Sequence, residues 1–138
     1  MAKISLRGLY AVAAMYALSK KYNDETPIKI KNIAKLSNTP QNFLEQILND
    51  LKKKGLVKSI RGAKGGYMLS KHPTQITVYD IISCVEGELF QVECKTKNLT
   101  LKLFWMDFYG KLKEFLSIKL SDLKQYEDKA IDQNMFYI

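Results

Sequence analysis

Between residues 29 and 54 the chain sets two short apolar-periodic stretches almost end to end, and this spacing constrains the fold more than any other feature. Ile30, Ile33, Ala34 and Leu36 recur at helical intervals, which predicts a short helix over about 29–37. Phe43, Leu44, Ile47, Leu48 and Leu51 repeat the pattern to about Lys54, and Gly55 ends it. Ser37-Asn38-Thr39-Pro40 between them reads as a stop followed by a start: Thr39 is placed to cap and Pro40 fits a first helical position. Two short helices joined by so few residues, the second basic at its far end, have the spacing of a helix-turn-helix. Leu56 to Ile60 then alternates as a strand, Arg61-Gly62-Ala63-Lys64-Gly65-Gly66 is a Gly-rich and doubly basic tip, and Tyr67-Met68-Leu69 is a second short strand. A hairpin directly after a helix-turn-helix is a wing. The tip lacks the GxxxxGK[ST] pattern of a phosphate-cradling loop, and a strand rather than a helix follows it.

The flanking segments complete a mainly α chain with one small β-hairpin. Leu6, Leu9, Tyr10, Ala13, Ala14, Ala17 and Leu18 predict a helix over 5–20, with a turn from Asn23 to Pro27. Thr77 to Val85 is another short helix, capped by Thr77 and followed by Gly87. Residues 88–98 are irregular. From Leu99 to about Ser117 runs a wide aromatic stripe through Leu101, Phe104, Trp105, Phe108, Leu112, Phe115 and Leu116. A chain of 138 residues has little core to cover such a face, so a dimer interface is expected; the alternative is packing within the monomer. Ser121-Asp122-Leu123 begins a short final helix. The expected organisation is a winged helix-turn-helix over 1–87, a loop over 88–98, dimerisation helices over 99–131 and a tail over 132–138.

Charge is distributed unevenly along this plan. Residues 1–75 hold 14 Lys/Arg against 4 Asp/Glu, whereas residues 76–138 hold 8 against 10. An N-terminal part facing a polyanion accounts for that split, and a merely Lys-rich solvated surface is the alternative. Composition excludes other classes. No apolar run approaches the roughly 20 residues of a membrane span, and Met1 to Arg7 enters a charged, periodic segment without a signal-peptide core, so a cytoplasmic location is expected. The single histidine, His72, and the absence of paired catalytic signatures argue against an enzyme.

Within the helix-turn-helix, Thr39, Gln41, Asn42, Glu45 and Gln46 fall at the expected exposed start of the second helix. Amides pair with adenine edges, and a carboxylate accepts from the cytosine amino group. Glu45 would otherwise repel phosphate, so it is a candidate for base discrimination, the alternative being an ordinary solvated helix residue. Ser5, Arg7, Tyr10, Lys29, Lys58 and Lys64 are candidate phosphate contacts, and Gly65 and Tyr67 complete the candidate DNA face at the wing. Arg61 at the tip suits a narrow minor groove, or else stays in solvent.

These strings also carry a family resemblance. Lys3-Ile4-Ser5-Leu6-Arg7-Gly8-Leu9-Tyr10-Ala11, Phe43-Leu44-Glu45-Gln46-Ile47-Leu48, Gly55-Leu56-Val57, Arg61-Gly62, Gly65-Gly66-Tyr67 and Val85-Glu86-Gly87 occur in order over almost the whole DNA-binding half. In that order and spacing the chain resembles the Rrf-two family of bacterial winged-helix regulators, which includes iron–sulfur, nitric-oxide and cysteine-metabolism regulators. The resemblance implies a homodimer on near-palindromic double-stranded DNA, with the long C-terminal helix as the dimer arm. Many members hold an iron–sulfur cluster through three cysteines in the loop before that arm. Here only Cys94 matches such a position, and Cys84 lies on the preceding helix as a small apolar residue would. No cofactor is therefore expected; a redox or residual metal sensor working through Cys94 is the alternative.

The C-terminus resembles the cluster-free, cysteine-metabolism branch of the family, whose relative partners with cysteine synthase. A tail of Met135, Phe136, Tyr137 and Ile138, with an apolar side chain and a terminal carboxylate, suits a pocket built for an amino-acid substrate. The expectation is that this tail docks in cysteine synthase; the alternative is that it packs on its own dimer.

Overall fold

The computed structural model describes residues 4–87 and 96–136, with side chains described as far as residue 133. Six α-helices and one hairpin are found there: α1 (Leu6–Lys20), α2 (Ile30–Ser37), α3 (Gln41–Lys53), β1 (Val57–Ile60), β2 (Gly66–Leu69), α4 (Val78–Glu86), α5 (Leu99–Leu116) and α6 (Lys124–Phe136). The mainly α fold with a winged helix-turn-helix is as the apolar spacing predicts, with the ends of α1 to α5 displaced by a residue or two; Ser121-Asp122-Leu123, expected to begin the final helix, lies in a 3₁₀ turn, and α6 starts at Lys124.

Ser5 opens α1 by accepting from the Gly8 amide, and Ala11, Ala14, Met15 and Leu18 bury one face. Asn38 closes α2 in the left-handed conformation at φ 51°, which a short polar side chain tolerates. The Thr39 amide then returns to the Ala34 carbonyl at 3.0 Å, so the chain reverses within two residues. Leu44, Ile47, Leu48 and Leu51 of α3 are wholly buried against α1, α2 and α4. Burying four such side chains contributes on the order of 6–12 kcal/mol, which holds this helix against the core.

The antiparallel hairpin pairs Val57 with Leu69 and Ile60 with Gly66. A feature invisible in the local pattern is added by Ile28, which pairs with Tyr67 through amide–carbonyl bonds of 2.9 and 2.8 Å and makes a third, one-residue rung. Thr77 caps α4 with a reciprocal box: its hydroxyl accepts from the Asp80 amide and its amide donates to the Asp80 carboxylate, both at 3.0 Å.

The arm α5 starts at Asn98, whose side chain accepts from the Thr100 and Leu101 amides. None of its residues is buried. Its C-terminal end is fastened to the rest of the molecule. Leu116 and Ile118 pack on Val78 and Ile82, Leu120 is fully buried, and the Val78 and Leu120 amides donate to the Ile118 and Ile76 carbonyls. Beyond a short 3₁₀ turn, α6 carries helical backbone through Phe136. The expected tail over 132–138 therefore shares its first residues with α6. Asp132, Gln133, Asn134 and Met135 include no Gly or Pro, so nothing local ends the helix there. No helix among the described residues is long and apolar enough to cross a membrane.

Candidate nucleic-acid interface

One face of α3 is free of the core. Gln41, Asn42, Glu45, Gln46 and Asn49 are exposed on it, opposite the buried Leu44, Ile47, Leu48 and Leu51. Side chains of these lengths on one exposed helical face suit the width of a DNA major groove. Lys52 and Lys53 close the helix, favourably placed at its negative end. Phe43 lies against the Tyr10 ring, centroids 5.4 Å apart, and so ties the start of α3 to α1.

The wing brings a second set of exposed cations. Lys58, Arg61 and Lys64 are exposed along the hairpin, and Lys29 is exposed at the start of α2 beside the Ile28–Tyr67 rung. Tyr67 is part-buried against the core. The Lys52 ammonium donates to the Ser59 hydroxyl at 2.8 Å, joining the end of α3 to the wing.

Four predicted site residues are placed differently from expectation. Thr39 is 4% exposed and its hydroxyl donates to the Ser37 carbonyl, so it builds the turn instead of offering its side chain to DNA; Pro40, not Thr39, occupies the N-cap position. Gly65 is buried and its amide donates to Gly62, which leaves it no donor for a phosphate; a Cβ there would lie 2.1 Å from the Ile60 carbonyl oxygen. Ser5 donates to the Glu86 carboxylate from both its amide and its hydroxyl. Arg7 is ion-paired with Asp50 of α3. Ser5 and Arg7 thus have protein partners already in place. Two residues were missed. Asn49 continues the 42–45–46 face and was legible from the period alone. Asp50 had no local signal, because its partner is 43 positions away.

Among the described residues no three His, Cys, Asp or Glu side chains are grouped as metal ligands. The Cys84 thiol donates to the Asp50 carbonyl at 3.2 Å, and burial, reinforced by Asp50, pushes its pKa up. Cys94 lies outside the described residues.

The family model described as an iron-dependent transcriptional regulator, Rrf2, matches residues 4–124. This chain belongs to the Rrf2 family of transcriptional regulators. Family members of this kind bind DNA and are not enzymes, in keeping with the exposed face of α3. The chain is 41% identical over 138 residues to the HTH-type transcriptional regulator CymR of Bacillus subtilis, covering 99% of each. It is 35% identical over 131 residues to IscR of Klebsiella pneumoniae, covering 88% of this chain and 78% of that one. Among solved structures, CymR (YrzC), described as the global cysteine regulator of B. subtilis, superimposes with a TM-score of 0.83, covering 91% of this chain and 98% of that one. T. potens IscR superimposes with a TM-score of 0.77 at 37% identity, covering 93% and 90%.

Proposed function

We propose that this Rrf2 protein is a homodimeric repressor of cysteine and sulfur metabolism genes that reads a near-palindromic operator with α3 and acts with cysteine synthase. The observation that carries the physiological reading is the likeness to CymR along the whole chain, including the region beyond α4. Dimerisation is supported by α5. Phe104, Trp105 and Phe108 are 58%, 42% and 43% exposed, and their rings stack edge to face at 5.0 and 5.8 Å in a continuous apolar ridge. A ridge of that kind left in water is costly, and a second copy of the same helix covers it symmetrically. Gln41, Asn42, Glu45 and Gln46 then read bases. Lys29, Lys58 and Lys64 hold phosphate, and Arg61 enters the minor groove.

The test is selection of duplexes from a random library by the reduced, metal-free protein. Enrichment of a near-palindrome upstream of sulfur-metabolism genes is the expected result. Enrichment of a palindrome elsewhere in the genome would overturn the physiological reading and keep the DNA reading. Glu45→Ala should then lose more affinity on the selected site than on scrambled DNA; equal loss on both would remove Glu45 from base discrimination. Deleting Asn134–Ile138 should abolish co-purification with cysteine synthase while leaving DNA binding intact; unchanged co-purification would remove the tail from the partnership.

A further inference from the structure

Asp50 stands where three helices meet. It lies one turn after Gln46 on α3, and its carboxylate takes the Arg7 guanidinium from the first turn of α1. Its backbone carbonyl accepts the Cys84 thiol from α4 at 3.2 Å and the Lys54 amide at 3.2 Å. Both charged side chains are about two-thirds covered, at 28% and 31% exposure. The Arg7 Nε is enclosed and has no hydrogen-bond partner, so the guanidinium stem is held in protein and its outer end faces Asp50. An arginine held this way is tied by a partly desolvated ion pair to α3, and freeing it to follow a phosphate costs that pair.

We propose that Asp50 and Arg7 are positioning residues for base reading: their ion pair sets the rotation of α3 on the core, and Arg7 acts on DNA through α3 and not by touching phosphate. The physical reason is a difference in tolerance. Side-chain tips lie roughly 5–6 Å from a helix axis, so a rotation of about 10° moves them by about 1 Å. A hydrogen bond to a base edge is lost over that distance. A flexible lysine following a phosphate by Coulomb attraction is not. Loss of the pair therefore erodes sequence preference and spares non-specific affinity. The inference rests on α3 being the base-reading helix.

The experiment measures Kd on the selected site and on random duplex, each across a salt series, for the unaltered protein, Asp50→Asn, Arg7→Met, Arg7→Lys and the Asp50→Asn/Arg7→Met double variant. Thermal melts accompany each. Asp50→Asn and Arg7→Met should each weaken binding to the selected site by about tenfold and to random DNA by less than about twofold, with the salt slope unchanged. The double variant should lose no more than the worse single one, and Arg7→Lys should keep the preference within about threefold. Tighter binding to both DNAs with a steeper slope in Asp50→Asn would overturn the proposal, since it would mean that Asp50 masks a phosphate contact. So would a slope reduced by about one on both DNAs in Arg7→Met, or Kd values that do not move. Should the single variants melt early, Arg7→Lys decides: a folded Arg7→Lys protein without sequence preference also overturns it. If the unaltered protein shows no preference between the two DNAs, the reading of α3 fails first; if it does and the variants match it, only the role of the pair fails.

Discussion

Glu127 accepts the Lys20 ammonium at 2.7 Å on one oxygen and the Tyr16 hydroxyl on the other, clipping α6 to α1. The Lys20 bond first, and the Tyr16 bond second, hold its carboxyl below the usual range. A lowered folded pKa gives stability that is present above the ordinary carboxylate value and lost as pH falls through the folded one. The melting temperature of Glu127→Gln should therefore lie below that of the unaltered protein at pH 7, and the gap should close as pH falls below the ordinary carboxylate range. Tyr16 shows the opposite sign. Burial first, then its bond to Glu127, pushes its pKa to about 12 from 10.0. The protonated hydroxyl is the form that the fold holds, so stability falls as pH climbs from 10 to 12. Denaturant titrations over that window should show a shallower fall for Tyr16→Phe. Gly65 offers a steric case at the same scale. With the Ile60 carbonyl oxygen 2.1 Å from where a Cβ would stand, Gly65→Ala forces the wing tip open. A loss of about 2 kcal/mol is expected by urea unfolding.

At the scale of elements, the parts that local chemistry encodes were legible. Thr77 before Asp80, with Val78, Ile81 and Ile82 behind, predicts both the start and the buried face of α4, and the structure has the complete capping box. Thr77→Ala should cost about 1 kcal/mol, read as a lowered urea midpoint with an unchanged m-value. The arm is a different kind of element. Its sequence announces an apolar helix, but an apolar stripe is the same whether its cover comes from the same chain or from another. The structure bears on the first half of that question: among the described residues none packs over α5 closely enough to bury any of its side chains. If a second copy covers it, Trp105→Asp should shift the protein from dimer to monomer in sedimentation and leave the far-UV circular dichroism of the monomer helical. A variant that sediments as the unaltered protein does would exclude this ridge as the interface. The Ile28–Tyr67 rung was not legible, because a one-residue pairing across 39 positions has no period to detect.

For the whole molecule, part of the excess of cations in residues 1–75 is carried by exposed side chains at the start of α2 and along the hairpin, Lys29, Lys58, Arg61 and Lys64, and the exposed side of α3 is amide-rich. Affinity should therefore fall steeply with salt, and Lys58→Ala should weaken binding to every sequence alike and lower the salt slope by about one. The amino-acid sequence by itself determined the helices, the turn and wing, the exposed polar face of α3 and the family, because each depends on periodicity, caps and short-range spacing. Only the tertiary structure decided which of the candidates are free to act. Thr39 and Gly65 have the right chemistry and are buried in the turn and the wing; Ser5 and Arg7 are already engaged by Glu86 and Asp50, 81 and 43 residues away. Burial and long-range partnership depend on how the helices are stacked, and no local pattern records that.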